Sequence, residues 1–192
     1  MTLTQRYADA VAYASIAHAT QTRKGTDLPY ICHLLGVSSL VLEAGGDEEL
    51  AIAGLLHDVA EDQGGDRRLD DVRKRFGDRV ADIVEACSDS LSEDPSKKAP
   101  YEERKRHHIE HLRHASDDVL LVTAADKLHN ARAIHGDLLV HGPEMLERFN
   151  GTAEQILWYY NGILAVLEGQ QVSPHLTKSL RHTVNEMAGL VT

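Results

Sequence analysis

Four ionisable side chains crowd into six residues at His57-Asp58-Val59-Ala60-Glu61-Asp62, directly after the apolar run Leu50-Ala51-Ile52-Ala53-Gly54-Leu55-Leu56. A carboxylate at the end of such a run is expected to be buried. Taking it out of water is costly unless a counter-charge, a full set of hydrogen bonds or a metal cation compensates. In a helix that continues through the pair, Glu61 lies one turn beyond His57 and Asp62 one turn beyond Asp58, so an ion held by the first pair would be faced by the second. Asp126 interrupts a second apolar stretch, and His33 stands in the first turn of a third. His33, His57, Asp58 and Asp126 make a mixed nitrogen and oxygen set suited to a borderline or hard divalent cation such as Mn²⁺, Fe²⁺ or Zn²⁺. Such an ion lowers the pKa of bound water and polarises a phosphoryl group, which is the chemistry of phosphoester hydrolysis. For any one of the twelve histidines a core or surface role is the ordinary reading; the adjacent His57-Asp58 together with Asp126 favours a metal site.

The elements that must carry these residues read as helices. A first amphipathic helix over about 4–19 presents Tyr7, Val11, Ala14 and Ala17, and a polar segment leads to Pro29. A second helix over about 30–44 turns Ile31, Leu34, Leu35, Ser38, Val41 and Leu42 inward, with Cys32 as a small buried filler. Asp47 caps a central helix that is expected to run unbroken to the acidic pair and to stop at Gly64-Gly65. Short helices follow over 69–76 and from Asp78, then a polar loop over 88–100 and a basic helix over 101–114 carrying Arg104, Lys105 and Arg106. Ser116 starts the helix of Asp126; Pro143 and Thr152 suggest two more starts, and Pro174 opens a terminal helix to about Met187. Without repeats or a convincing strand, the expected fold is an all-α helical bundle forming one domain over 1–192, with a core over about 4–168 and a C-terminal helical extension over about 169–192.

Composition narrows the function classes. With 42% hydrophobic and 26% charged residues the chain is not of the disordered class, and no apolar run approaches a membrane span. A net charge of −10 argues against general nucleic-acid binding, so an anionic ligand would have to be small and met by a local cluster of cations. Two cysteines and the lack of a basic-then-apolar leader at the start point to the cytoplasm. Association into a homo-oligomer stays open.

Four stretches go further: His18-Ala19-Thr20-Gln21-Thr22-Arg23-Lys24-Gly25, Pro29-Tyr30-Ile31-Cys32-His33, His57-Asp58-Val59-Ala60-Glu61-Asp62 and Ala125-Asp126-Lys127-Leu128-His129-Asn130. The set His33, His57-Asp58, Asp126 resembles the HD superfamily of metal-dependent phosphohydrolases. The surrounding text resembles the hydrolase domain of the RelA/SpoT homologues, particularly the stand-alone small alarmone hydrolases, over roughly 7–167. The resemblance implies an α-helical domain that binds Mn²⁺ and removes pyrophosphate from the 3′ position of guanosine tetraphosphate (ppGpp) or pentaphosphate (pppGpp).

By position, His33, His57, Asp58 and Asp126 would be the metal ligands. Glu61 and Asp62 would handle the attacking water and the proton for the leaving group. Arg23, Lys24 and Asn130 would contact the nucleotide. Leu34, where the family often has proline, and Ala133, where longer members have a hydroxyl residue, depart from the pattern without removing a ligand. The 88–100 loop and the basic Arg104-Lys105-Arg106 run are expected near the phosphates. Trp158-Tyr159-Tyr160 reads as core more readily than as a pocket wall. Two alternatives remain: the same site acting on another nucleotide, such as NADPH or a deoxynucleotide, and a binding module that holds the alarmone without turning it over. The intact Glu61-Asp62 pair argues against the second.

Overall fold

A computed structural model describes residues 2–88 and 99–191, and the described residues form an all-α bundle without a strand. Its helices are α1 Gln5–Ala17, α2 Ile31–Glu43, α3 Glu48–Leu56, α4 Val59–Gln63, α5 Gly65–Phe76, α6 Asp78–Cys87, α7 Tyr101–Leu112, α8 Asp117–His141, α9 Ala153–Gly169 and α10 Pro174–Val191. A 3₁₀ turn, Pro143–Arg148, joins α8 to α9. The starts are set by side chains that take up free backbone amides: Thr4 accepts from Arg6, Asp47 from Leu50 and Ser116 from Val119, and Thr152 with Gln155 closes a reciprocal capping box before α9.

Every residue of α3 from Leu50 to Leu56 is buried, which makes it the central rod against which α1, α2, α6 and α8 pack. The α2–α3 contact is pinned by the buried Ser38 hydroxyl, which donates to the Ala51 carbonyl at 2.9 Å. Arg79 in α6 joins the starts of α3 and α8, reaching Asp47 at 2.6 Å and Asp118 at 2.8 Å. The terminal helix α10 lies along α8 and beside α9, burying Leu176, Leu180, Val184 and Met187.

Three expectations need correction. The central helix is not continuous: α3 ends at Leu56, and α4 begins at Val59 after a turn made of His57 and Asp58. At the break the His57 ring Nδ1–H donates to the Gly54 carbonyl at 2.9 Å. That carbonyl is the acceptor the Asp58 amide would use in an unbroken helix. Cys32 is exposed rather than a buried filler, and Leu35, expected inward, is 42% exposed. Positions 32, 35 and 39 lie on the outer stripe of α2, while His33, Leu34, Val37, Ser38, Leu40 and Val41 face α3 and α8. The loop expected over 88–100 lies largely outside the described residues. Among those residues, no helix is long and apolar enough to cross a membrane.

Candidate metal centre and adjoining cleft

Three separate pieces of chain bring the four proposed ligands together. His33 comes from the first turn of α2, His57 and Asp58 from the turn between α3 and α4, and Asp126 from the middle of α8. His33 Nε2 lies 3.2 Å from Asp126 Oδ1 and 3.6 Å from Asp58 Oδ2; His57 Nε2 lies 3.0 Å from Asp58 Oδ2 and 3.6 Å from Asp126 Oδ1. The donor atoms of His33, His57 and Asp58 all fall within 4.8 Å of one another. The two histidines are 1% and 3% exposed, and neither Nε2 has a hydrogen-bond partner. Buried polar atoms are rarely left so. Two unpartnered imidazole nitrogens pointing at two carboxylate oxygens are the donor set a divalent cation would satisfy, and the residues fit such an ion.

Hydrogen bonds behind the ligands fix their orientation. His57 Nδ1 is committed to the Gly54 carbonyl, and His33 Nδ1 lies 3.0 Å from His129 Nδ1. The Tyr30 hydroxyl donates to Asp58 Oδ2 at 2.6 Å; Lys127 Nζ donates to Asp126 Oδ2 at 2.6 Å and Asn130 Nδ2 to Asp126 Oδ1 at 2.5 Å. The charges follow from these contacts. Burial opposes ionisation of both carboxyls, yet His57 beside Asp58, and Lys127 with the two imidazoles beside Asp126, hold both below the usual carboxylate range. Burial pushes His33 down, more than Asp126 pulls it up. For His57 burial is outweighed by Asp58 and Asp126, so its pKa rises, and a proton there competes with a cation. Burial, then His33 and Arg23, takes His129 down to about 4, so its ring is neutral at pH 7.

The expected acid–base pair divides. Glu61 lines the cleft beside the centre. Asp62 is not among the lining residues; its Oδ2 accepts from Gln21 Nε2 at 2.8 Å, and its carboxyl is raised by desolvation and by the charge of Asp58. Gln21 in turn meets His18 Nδ1 at 2.7 Å, and His18 stacks on Tyr30 at 5.2 Å between ring centroids.

The cleft encloses about 530 Å³ and is lined by six cationic side chains, Arg23, Lys24, Arg104, Lys105, Lys127 and Arg148, against the carboxylates of Glu61 and Asp137. In a chain of net charge −10 this is the local cluster an anionic ligand requires. Arg23 donates to Asn130 Oδ1 at 2.8 Å, so the three residues Arg23, Asn130 and Asp126 form a chain from the cleft to the centre. Lys24 donates to Asn150 at 3.1 Å. Arg104 and Lys105 reach the cleft, whereas Arg106 turns to Glu102 and the Trp158 ring. Tyr159 and Tyr160 are at once core and wall: each is 5% exposed and both line the cleft.

Tyr30, Gln21, Lys127 and His129 were legible as part of the motif stretches but not as supports. Tyr101, Asp137, Arg148 and Phe149 gave no signal. The last two sit at a 3₁₀ turn without periodicity, and Arg148 reaches the cleft through its ion pair with Asp137.

Residues 10–143 match the HD domain family. The chain is 34% identical over 170 residues to the guanosine-3′,5′-bis(diphosphate) 3′-pyrophosphohydrolase MESH1 of Xenopus tropicalis, covering 84% of this chain and 88% of that one. Against the Homo sapiens protein of the same name it is 33% identical over 178 residues, 91% and 90% of the two chains. A solved structure of a metazoan orthologue of SpoT, described as hydrolysing ppGpp, superposes with a TM-score of 0.77 at 30% identity, covering 97% of each chain.

Proposed function

The chain belongs to the HD domain family, and from that premise we propose that it is a metal-dependent guanosine-3′,5′-bis(diphosphate) 3′-pyrophosphohydrolase, converting ppGpp and water to GDP and pyrophosphate. The observation that carries this reading is the junction of a buried centre, whose two Nε2 atoms face two carboxylates without a hydrogen bond, with a cleft lined by six cations. Arrangements of that kind suit a substrate with a reacting phosphorus and several further phosphate charges. The names of the relatives that match most of this chain support the choice of nucleotide.

His33, His57, Asp58 and Asp126 would hold the cation, which we take to be Mn²⁺, with Fe²⁺ and Zn²⁺ compatible with the same donors. When bound, the ion supplies Lewis acidity and a lowered pKa for water. The chain's own residues do the rest. Glu61, which lines the cleft, would take a proton from the water that attacks phosphorus. As the bond from phosphorus to the 3′ oxygen breaks, that oxygen needs a proton. The resemblance assigns that proton to Asp62, which lies outside the cleft lining, bound by Gln21 at 2.8 Å, with its carboxyl raised by burial and by the charge of Asp58. Arg23, fixed by Asn130 and lying 5.8 Å from the Tyr30 ring, presents a flat guanidinium for a purine, and Lys24, Arg104, Lys105 and Arg148 meet the phosphates. A cytoplasmic location is part of the same reading, supported by two free thiols.

The test is the product profile of metal-stripped protein with ppGpp, with and without Mn²⁺, beside Asp58→Ala. GDP and pyrophosphate that form only with metal and intact Asp58 are the expected result. Metal binding without product refutes the alarmone reading, and NADPH and deoxynucleotides then become the substrates to screen.

A further inference from the structure

His33 shares its turn of α2 with a glycine, and the space beside that glycine is filled from α8. His33 Nδ1 and His129 Nδ1 lie 3.0 Å apart, with ring centroids at 4.9 Å and planes at 61°. At that distance one nitrogen donates and the other accepts. Because His33 Nε2 faces Asp58 and Asp126, it would keep its lone pair to serve a cation, and with a cation bound the His33 proton would sit on Nδ1 with His129 accepting it. His129 stands three residues after Asp126, so the turn of α8 that supplies one ligand also supports another.

What admits the ring is a missing side chain. A Cβ on Gly36 would lie 2.2 Å from both Cδ2 and Nε2 of His129. Gly36 lies within α2, where glycine costs about 0.5–1 kcal/mol relative to alanine. It is not among the glycines with positive φ, so the backbone does not call for it. Room for His129 does.

We propose that His129, seated in the notch left by Gly36, is a positioning residue that sets the tautomer and ring orientation of the metal ligand His33. The inference rests on the metal-site reading above. It differs from that reading in assigning a function to an imidazole that is not itself a ligand and to a glycine that touches no substrate. The competing account, in which His129 only fills space, makes opposite demands on two substitutions. His129→Asn puts an amide oxygen close to the present position of Nδ1 and keeps an acceptor. His129→Phe keeps a ring in the notch and removes the acceptor.

The experiment measures Mn²⁺ affinity of the metal-stripped full chain by competition with a chromogenic chelator, together with the melting temperature of each metal-free variant. Wild type, Asp58→Ala, His129→Asn, His129→Phe and Gly36→Ala are compared. Loss of a partner behind a ligating histidine typically weakens metal binding about 10–100-fold. That loss is expected for His129→Phe, and for Gly36→Ala through displacement of the ring, while His129→Asn stays short of the roughly 10-fold lower bound of that loss. Phe and Asn variants that bind equally, whether both tight or both weak, overturn the proposal, as does a Gly36→Ala protein that melts like wild type and binds Mn²⁺ as tightly. A wild-type chain that binds no Mn²⁺, or binds it no better than Asp58→Ala, overturns the metal reading and this proposal with it. A chain that needs Asp58 but is indifferent to His129→Phe overturns this proposal alone.

Discussion

Replacing Tyr30 by phenylalanine removes one oxygen and leaves the ring contacts in place. The ring stacks on His18 at 5.2 Å and meets the edge of His33 at 5.5 Å, and both contacts survive in Phe. What is lost is the hydroxyl bond to Asp58 Oδ2 at 2.6 Å. Burial, and then the charge of Asp58, raises the Tyr30 pKa well above the ordinary phenol value, so the hydroxyl is a donor over the whole working pH range. A hydrogen bond to a charged acceptor contributes about 1.5–3 kcal/mol. For a chain of this size each kcal/mol moves the melting temperature by about 2–4 °C, so the metal-free variant should melt about 3–12 °C lower. Asp58 also loses the group that orients it, and the Mn²⁺ affinity should fall about 10–100-fold. The assay is calorimetric melting of wild type and Tyr30→Phe, each with and without Mn²⁺. A variant that melts within about 1 °C of wild type in both states, well inside the shift one such bond supports, would refute the view that this hydroxyl holds Asp58 in place.

Further outcomes follow from the same geometry. Asp126→Ala should abolish Mn²⁺ binding, checked by metal content after dialysis, because it removes an oxygen that faces both imidazoles. In the metal-free protein Asp58 and Asp126 have depressed folded-state pKa values, so their contribution to stability is present above the ordinary carboxylate range, about pH 4, and is lost as the pH falls below it through the folded values; urea titrations across acid pH measure this. Cys32 is exposed, while the Cys87 thiol, half-buried, is pushed up to about 11 by desolvation, so a disulfide reagent at pH 8 should modify Cys32 of the native protein well before Cys87, with the two rates converging on unfolding. Gly25 has φ of 73°, and a Cβ there would lie 2.6 Å from Arg148 Cδ. Gly25→Ala should therefore shift Arg148 in the cleft and raise KM for ppGpp several-fold, on the order of 1 kcal/mol of lost binding, with kcat largely kept.

Apolar runs interrupted by single polar residues made the helices around His33, His57-Asp58 and Asp126 legible in the sequence, because burying an ionisable group inside such a run is too costly to be incidental. Capping residues did the same for boundaries: Thr4, Asp47, Ser116 and Thr152 each accept the amide bond their position announces. The break between α3 and α4 was not legible. Apart from Gly54, the residues from Leu50 to Asp62 are acceptable helix formers one by one, and at the interruption the His57 ring sends its Nδ1–H to the Gly54 carbonyl. Asn130 had a place in the motif, but its double attachment to Asp126 and Arg23 depends on how α8 meets the loop before α2.

The sequence by itself determined the types of the candidate ligands, their order and the helices that carry them, because local periodicity and the cost of buried charge are written in neighbouring residues. The tertiary structure alone decided which groups stand behind the ligands and which close the cleft. Arg148 beside Gly25, His129 against Gly36 and Asp62 bound by Gln21 each join segments distant in the chain. Contacts of that kind are set by how helices pack, and packing of one face against another leaves no period in the sequence of either.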